Sequence, residues 1–274
     1  MGHFTIDQEK CKRDGICAAE CPARIIQINS PKDYPTPTAD FERYCIVCGH
    51  CVTVCPSGAF SLDRLGPEDC PPIRQELSLS AAQAEQFLRS RRSVRSYLDR
   101  SVERDKLEKL LEIASLAPSA RNMQPWHWLV IEDSNELRRL AGLVIEWMCA
   151  FIEQDPELAG NLGFPRVVAS WEAGEDRICR GAPHLIVAHA DKDWRYGPED
   201  CALALSHLDL FAPCLGLGTC WAGFFYTAAN AYPPLFMALG APSEHKVYGA
   251  MMIGYPRFKY HRLPLRKPPR VTWK

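Results

Sequence analysis

Thirteen cysteines are spread over 274 residues, but seven of them fall between Cys11 and Cys55, and their spacing constrains the chain more than any other feature. Cys45, Cys48, Cys51 and Cys55 are followed by Pro56, giving C-x2-C-x2-C-x3-C-P. Thiolates are soft ligands. Four at this spacing suit an iron–sulfur cluster, with three wrapping it from one loop and the last pointing toward a second cluster. Zinc knuckles use paired ligands rather than so close a run. Shifting the sequence by 34 positions lays Cys11 on Cys45, Cys17 on Cys51, Gly15 on Gly49, and Cys21-Pro22 on Cys55-Pro56. Apolar, strand-like stretches at 25–28 and 59–62 follow both copies. An internal repeat of this kind predicts a pseudo-symmetric pair of units. The match breaks at Asp14, which stands where Cys48 stands in the second copy.

Residues 1–65 resemble the two-cluster bacterial ferredoxins. The resemblance implies one cluster on Cys45, Cys48, Cys51 and Cys21, and another on Cys11, Cys17 and Cys55. Two readings of Asp14 stand together. As a fourth ligand it is harder and weaker than thiolate, so that cluster is either 4Fe–4S with a carboxylate ligand or 3Fe–4S. As part of Asp14-Gly15 it is a turn residue. The other six cysteines, Cys70, Cys149, Cys179, Cys201, Cys214 and Cys220, are scattered, and most read as small buried apolar residues.

Bulk properties exclude other classes. Net charge is −1, so no global basic field favours nucleic acid or an anionic membrane. No apolar run reaches membrane-span length, and the polar first ten residues lack the apolar core of an export signal. A cytoplasmic protein is expected. The stretch 66–72, Gly-Pro-Glu-Asp-Cys-Pro-Pro, interrupts regular structure and marks a linker over 66–79.

A second domain is expected over 80–274. Ser80 with Gln83 forms a capping-box pattern that opens a helix. Leu107, Leu110, Leu111 and Ala114 recur at helical spacing, and so do Leu137, Leu140, Ala141, Val144, Ile145 and Met148 behind an Asp133 cap. Residues 201–215 form a further helix candidate. Strands are expected at 126–131, 184–190, 219–225 and 247–255. The mixed order predicts an α+β fold with a central mixed sheet. Gly216-Leu217-Gly218 lacks the rest of a dinucleotide fingerprint, which disfavours a Rossmann dehydrogenase.

Arg91-Arg92-Ser93-Val94-Arg95 packs three guanidiniums and a hydroxyl into five residues. Such forks match phosphate oxygens, although a charge run is also a common solvated face. In the polar segment 117–126, Asn122 and Gln124 carry amides that both donate and accept, as a flavin ring edge requires. These two segments, together with Gly216 to Gly223 and Ile253-Gly254-Tyr255-Pro256 followed by Arg266-Lys267, resemble the nitroreductase family of FMN flavoproteins in motif order. The resemblance implies that Arg91, Arg92, Ser93 and Arg95 bind the FMN phosphate and nearby ring atoms. Asn122 would bond the isoalloxazine with support from Gln124, in a loop that includes Pro118 and Ser119. Gly218 and Thr219 would line the flavin, and Arg266 with Lys267 would close on the phosphate. For Lys267 a plain basic tail is an equal reading.

The same resemblance implies an intertwined homodimer and an oxidoreductase. Electrons would pass from a donor such as a ferredoxin or NAD(P)H, through two iron–sulfur clusters, to FMN and on to a small oxidised acceptor, a nitro compound or quinone. The alternatives are an electron-transfer module serving a partner protein, and an NAD(P)H-driven nitroreductase with accessory clusters. The sequence identifies no catalytic acid or base.

Overall fold

A computed structural model describes residues 4–63 and 65–274. The chain divides by internal contacts into two compact units, one of Met1–Leu79 with Arg121–Met123 and one of Ser80–Ala120 with Gln124–Lys274.

The first unit is built twice over from one pattern. Its elements are β1 (Phe4–Ile6), α1 (Ile16–Glu20), β2 (Ile26–Gln27), β3 (Thr36–Pro37), α2 (Phe41–Tyr44), α3 (His50–Thr53) and β4 (Phe60–Leu62). β1 pairs antiparallel with β4, and β2 with β3, so the strand that opens each copy pairs with the strand that closes the other. The backbone repeats as the sequence does. Arg13 and Val47 have φ of 58° and 50°, Gly15 and Gly49 both 76°, and Arg24 and Gly58 52° and 60°. Each pair is offset by 34 residues. These left-handed residues turn the chain sharply between successive cysteines, and glycine takes the tightest of them without steric cost. Phe41, Phe60, Ile25, Ile26, Val52 and Leu62 fill the small core.

The second unit is an α+β fold around a four-stranded sheet. It begins with α4 (Ala81–Ser90), where Ser80 and Gln83 form the expected capping box: the Gln83 amide donates to Ser80 Oγ at 3.4 Å and the Ser80 amide to Gln83 Oε1 at 2.9 Å. Next come α5 (Arg104–Ala114), β5 (His127–Ile131), α6 (Ser134–Gln154), α7 (Pro156–Leu162), α8 (Phe164–Glu172) and β6 (His184–Asp191). α9 (Gly197–Phe211), β7 (Gly218–Trp221), α10 (Gly223–Ala231), α11 (Pro233–Leu239) and β8 (His245–Gly254) complete it. The strand order is β5-β6-β8-β7.

All three strand pairings in this sheet are antiparallel, which corrects the expected mixed sheet. The parallel contact among the described residues is an isolated bridge from Ser93 to Thr219. Alternation along β6 sends Leu185 and Val187 into a core with α6 and α10, and Ile186, Ala188 and Ala190 into a core with α5 and α9. A strand covered on both faces reads as a continuous apolar run, which is why 184–190 was legible. The strand expected over 219–225 stops at Trp221. Phe225 is fully buried, but as a residue of α10. No helix among the described residues is long and apolar enough to cross a membrane.

Candidate cofactor sites

The first unit contains two small cavities, one slightly larger than the other. Cys21, Cys45, Cys48 and Cys51 line the larger, while Cys11, Asp14, Cys17 and Cys55 line the smaller. Each is therefore lined by three of these side chains from one copy of the repeat and one from the other, the grouping that the ferredoxin resemblance implies. Among the described residues no three such side chains converge on a single ion. Four such side chains around one cavity suit a cluster, whose ligands ring several irons. In the smaller cavity the Ala59 amide donates to Cys55 Sγ at 3.3 Å, a bond suited to a thiolate acceptor. In the larger cavity, burial pushes the Cys51 thiol up to about 12, so its wall is hostile to a thiolate unless a cation compensates it.

Asp14 meets both of its readings locally. Its Oδ1 accepts the Ile16 amide at 3.2 Å, as in a turn that starts a helix, and the residue also lines the smaller cavity. Of the scattered cysteines, Cys179, Cys201 and Cys220 are buried, Cys70 is half-buried, and Cys149 and Cys214 are exposed. The reading of most as core residues holds for three. Cys214 falls in a 3-10 turn after α9 rather than inside a helix.

In the second unit the five-residue arginine run does not form one nest. Arg91 Nη1 pairs with Asp209 Oδ2 at 3.2 Å, and the buried Asp209 carboxylate also accepts the Thr219 hydroxyl. Arg92 lies over the ring of Tyr260, 5.8 Å from its centroid, and lines a cleft of about 650 Å³ with Gly216, Gly218 and Thr219. Ser93 bridges to Thr219, and Val94 is buried. A side chain at Gly218 would collide with Val94 and Pro256, so this glycine lets the two segments close together. Arg95 lines a different cleft of about 480 Å³, and its Nη1 donates to the Ser93 carbonyl at 3.4 Å. Gly218 and Thr219 thus pack against the arginine segment as well as lining the cleft, with Thr219 only 2% exposed.

The loop 118–124 is strongly curved. Arg121, Asn122 and Gln124 have φ of 55°, 55° and 45°, a run that non-glycine residues adopt only when their surroundings hold them. One such hold is Asp200, 2% exposed, whose Oδ1 accepts the Ala120 amide at 2.9 Å and whose Oδ2 accepts Trp194 Nε1 at 2.8 Å. Ser119 Oγ accepts the Gln124 amide at 2.9 Å, and Pro118 is exposed. Asn122 groups with the first unit, where its Nδ2 donates to the carbonyls of Ile46 and Val47 at 3.3 and 3.1 Å. Arg266 and Lys267 are exposed on the tail beyond β8 and line neither cleft.

Sequence reasoning missed the other walls of the Arg95 cleft. Trp147, Phe164 and Phe224 supply aromatic surface, and Arg177 and Arg180 supply two more guanidiniums. The aromatic residues lie on α6, α8 and α10, where their periodicity is that of ordinary core. Only the close pair Arg177 and Arg180 could have drawn notice.

Comparison with known proteins gives two regional matches. Residues 88–255 match the nitroreductase family and residues 9–60 a 4Fe-4S dicluster domain. A protein of Archaeoglobus fulgidus, whose name pairs NADH dehydrogenase with NAD(P)H nitroreductase, is 30% identical over 173 residues, covering 61% of this chain and 82% of its own. A 4-nitrobenzoate reductase of Nocardioides sp. is 47% identical over 87 residues, 31% of this chain and 34% of that protein. The structure of a nitroreductase with bound FMN from Bacteroides fragilis is similar at 25% identity and a TM-score of 0.57, covering 69% of this chain and 97% of that one.

Proposed function

The chain belongs to the nitroreductase family and is an FMN-dependent oxidoreductase with a 4Fe-4S ferredoxin-type domain at its N-terminus, and from this we propose that it passes electrons from an external donor through two iron–sulfur clusters to FMN and on to an oxidised small molecule. The observation that carries the proposal is the pair of cavities, each lined by four side chains drawn from both copies of the repeat. FMN when bound supplies both one- and two-electron chemistry, and so joins a one-electron relay to two-electron reduction of an acceptor.

The chain's own residues have distinct tasks in this reading. Arg91, Arg92, Ser93 and Arg95 would bind the flavin phosphate and ring edge, with Arg95 beside the aromatic cleft that admits the acceptor. Asp209 fixes the Arg91 guanidinium, and Asp200 holds the Ala120 amide. Arg266 and Lys267 would close on the phosphate. Two chains would pair as a homodimer, and the exposed Leu265 and Trp273 of the tail offer apolar surface for that pairing.

The name of the Archaeoglobus relative favours a second reading, in which NAD(P)H reduces the flavin directly. Anaerobic stopped-flow on protein with quantified iron, sulfide and FMN separates the two. The proposed route predicts fast cluster and flavin reduction by a reduced ferredoxin, and slow reduction by NADH or NADPH alone. Flavin reduction by NAD(P)H that outpaces the clusters would overturn it.

A further inference from the structure

The Arg95 cleft carries information about the acceptor. Its wall includes Trp147, Phe164 and Phe224, flat apolar surface of the kind that receives an aromatic ring. Among the described residues that line it, none is acidic, while Arg95, Arg177 and Arg180 all do. Such a cleft favours a planar ligand that carries negative charge.

Two of these guanidiniums are displayed by one rigid turn. Asp176 holds it from inside: Oδ1 accepts the amides of Ile178 and Cys179 at 2.8 and 2.9 Å, and Oδ2 accepts the Gly181 amide at 3.2 Å. Ile178 and Cys179 are 2% and 1% exposed, which pins the turn to the core. Arg180 and Gly181 then take φ of 59° and 64°, so the chain reverses there. Arg177, Ile178 and Arg180 of this turn line the cleft, while Cys179 does not. Arg177 is partly occupied by the exposed Glu175 at 3.3 Å, a weak surface pair. Arg180 pairs with no carboxylate among the described residues. A guanidinium on a fixed turn, with no internal counter-ion, is pre-organised for an external carboxylate.

We propose that the acceptor is an aromatic carboxylate, with its carboxylate on Arg180 and Arg177 and its ring against the aromatic wall. This rests on the reading that the cleft faces bound FMN. For a nitro substituent, each acceptor would take two electrons and two protons to give a nitroso group and water. The electrons come from the donor named above and the protons from solvent.

The test compares 4-nitrobenzoate with its methyl ester, which keeps the ring and nitro group and removes the charge. Anaerobic turnover is measured on the holoprotein with reduced ferredoxin as donor. Wild type should favour the acid over the ester in kcat/KM, and Arg180→Gln should lower the acid-to-ester ratio about 10- to 100-fold, the range for a lost charge-assisted contact. Arg180→Lys should recover part of the ratio, and bound FMN per chain should match wild type. Calorimetry with 4-nitrobenzoate provides a readout independent of turnover, and binding should weaken in Arg180→Gln. An equal preference for acid and ester in wild type overturns the inference. So does loss of FMN from Arg180→Gln, which would assign this arginine to the flavin phosphate. Absence of turnover with both acceptors alongside Arg180-dependent binding would overturn the reductase reading and leave the carboxylate site standing.

Discussion

The two units of this chain reach order by different means. The first has a core of a few side chains, short strands and helices of four or five residues, wrapped around two cysteine-lined cavities. The second has a sheet buried on both faces between longer helices. Small cores rarely hold a fold unaided, and bound metal commonly supplies the difference. The contrast teaches where each unit keeps its instructions: in ligand spacing for the first, and in hydrophobic periodicity for the second. The largest expected effect follows from it. Stripping iron by oxidation and chelation should unfold the first unit while the second stays folded, seen as hydrogen-exchange protection lost over 4–63 and kept in β5, β6 and β8. In the same way, Cys48→Ser should lose about half of the bound iron, whereas Cys214→Ser, exposed and outside both cavities, should lose none. Equal iron in the two variants would sink the ligand assignment.

Much of this was legible beforehand, for physical reasons that differ between the units. Cluster ligands must be specific residue types at set spacings, so the cysteine run could be read directly, and the ferredoxin resemblance implied the exchange of Cys21 and Cys55 between the copies. The strands at β5, β6 and β8 could be read because both faces of the sheet exclude water. What could not be read was direction. Arg91, Arg92 and Arg95 look like one cationic nest in sequence, but an extended backbone sends neighbours to different sides, so Arg91 meets Asp209 and Arg92 and Arg95 line different clefts. Thr219 lines a cleft, but it is 2% exposed and its hydroxyl is spent on Asp209, which its sequence neighbours do not show. The end of β7 was misjudged because Ala222, Gly223 and Phe224 carry no local stop signal; what fixes the turn is tertiary, the Ala222 amide donating to the Ala250 carbonyl at 2.8 Å.

Acid should discriminate the units next. Burial, aided by the neighbouring His245 and His127, pushes His189 down to about 4 from the ordinary 6.5. The folded form therefore holds it neutral where an unfolded chain would be protonated. Its stabilising contribution is complete above pH 6.5 and is lost as the pH falls toward 4. The second unit should lose up to about 3 kcal/mol over that window. Denaturant unfolding followed through tryptophan fluorescence at pH 4 to 8 checks this, and His189→Asn should flatten the slope. Wild type and variant with parallel slopes would remove His189 as the cause.

A smaller effect is expected at the flavin. Arg91→Ala with Arg95→Ala removes two phosphate-type donors and should weaken FMN binding by about 10- to 100-fold. Iron and sulfide per chain should match wild type, since both residues belong to the second unit. Because Arg91 is already paired with Asp209, the single Arg91→Ala variant has a second consequence: it leaves a buried carboxylate without its cation. Adding Asp209→Asn to Arg91→Ala should restore thermal stability but not FMN affinity. Recovery of both would mean that Arg91 acts only as a structural partner of Asp209. FMN retained through dialysis by the Arg91/Arg95 double variant would count against the whole segment.

The subtlest outcome lies at the one position where the repeat fails. Asp14 lines the smaller cavity beside Cys11, Cys17 and Cys55, in register with Cys48 of the other copy. Its carboxylate also accepts the Ile16 amide, so it has a task even without iron. A carboxylate is a weaker partner than thiolate for cluster iron, and the iron nearest Asp14 should be the one most easily lost. Mild oxidation of the parent protein should therefore produce a three-iron signal in electron paramagnetic resonance, and Asp14→Cys should abolish it by supplying the fourth thiolate. The same change removes the turn acceptor, and with it about 1 kcal/mol or less of local stability, a cost typical of one exposed hydrogen bond. Asp14→Asn separates the two roles, because its side-chain oxygen can still accept the Ile16 amide while the anionic ligand is gone. If Asp14 is a labile ligand, Asp14→Asn should show the three-iron form even before oxidation. A parent protein that shows no three-iron signal, together with an Asn variant that behaves like it, would leave Asp14 as a turn residue and give the fourth iron some other ligand.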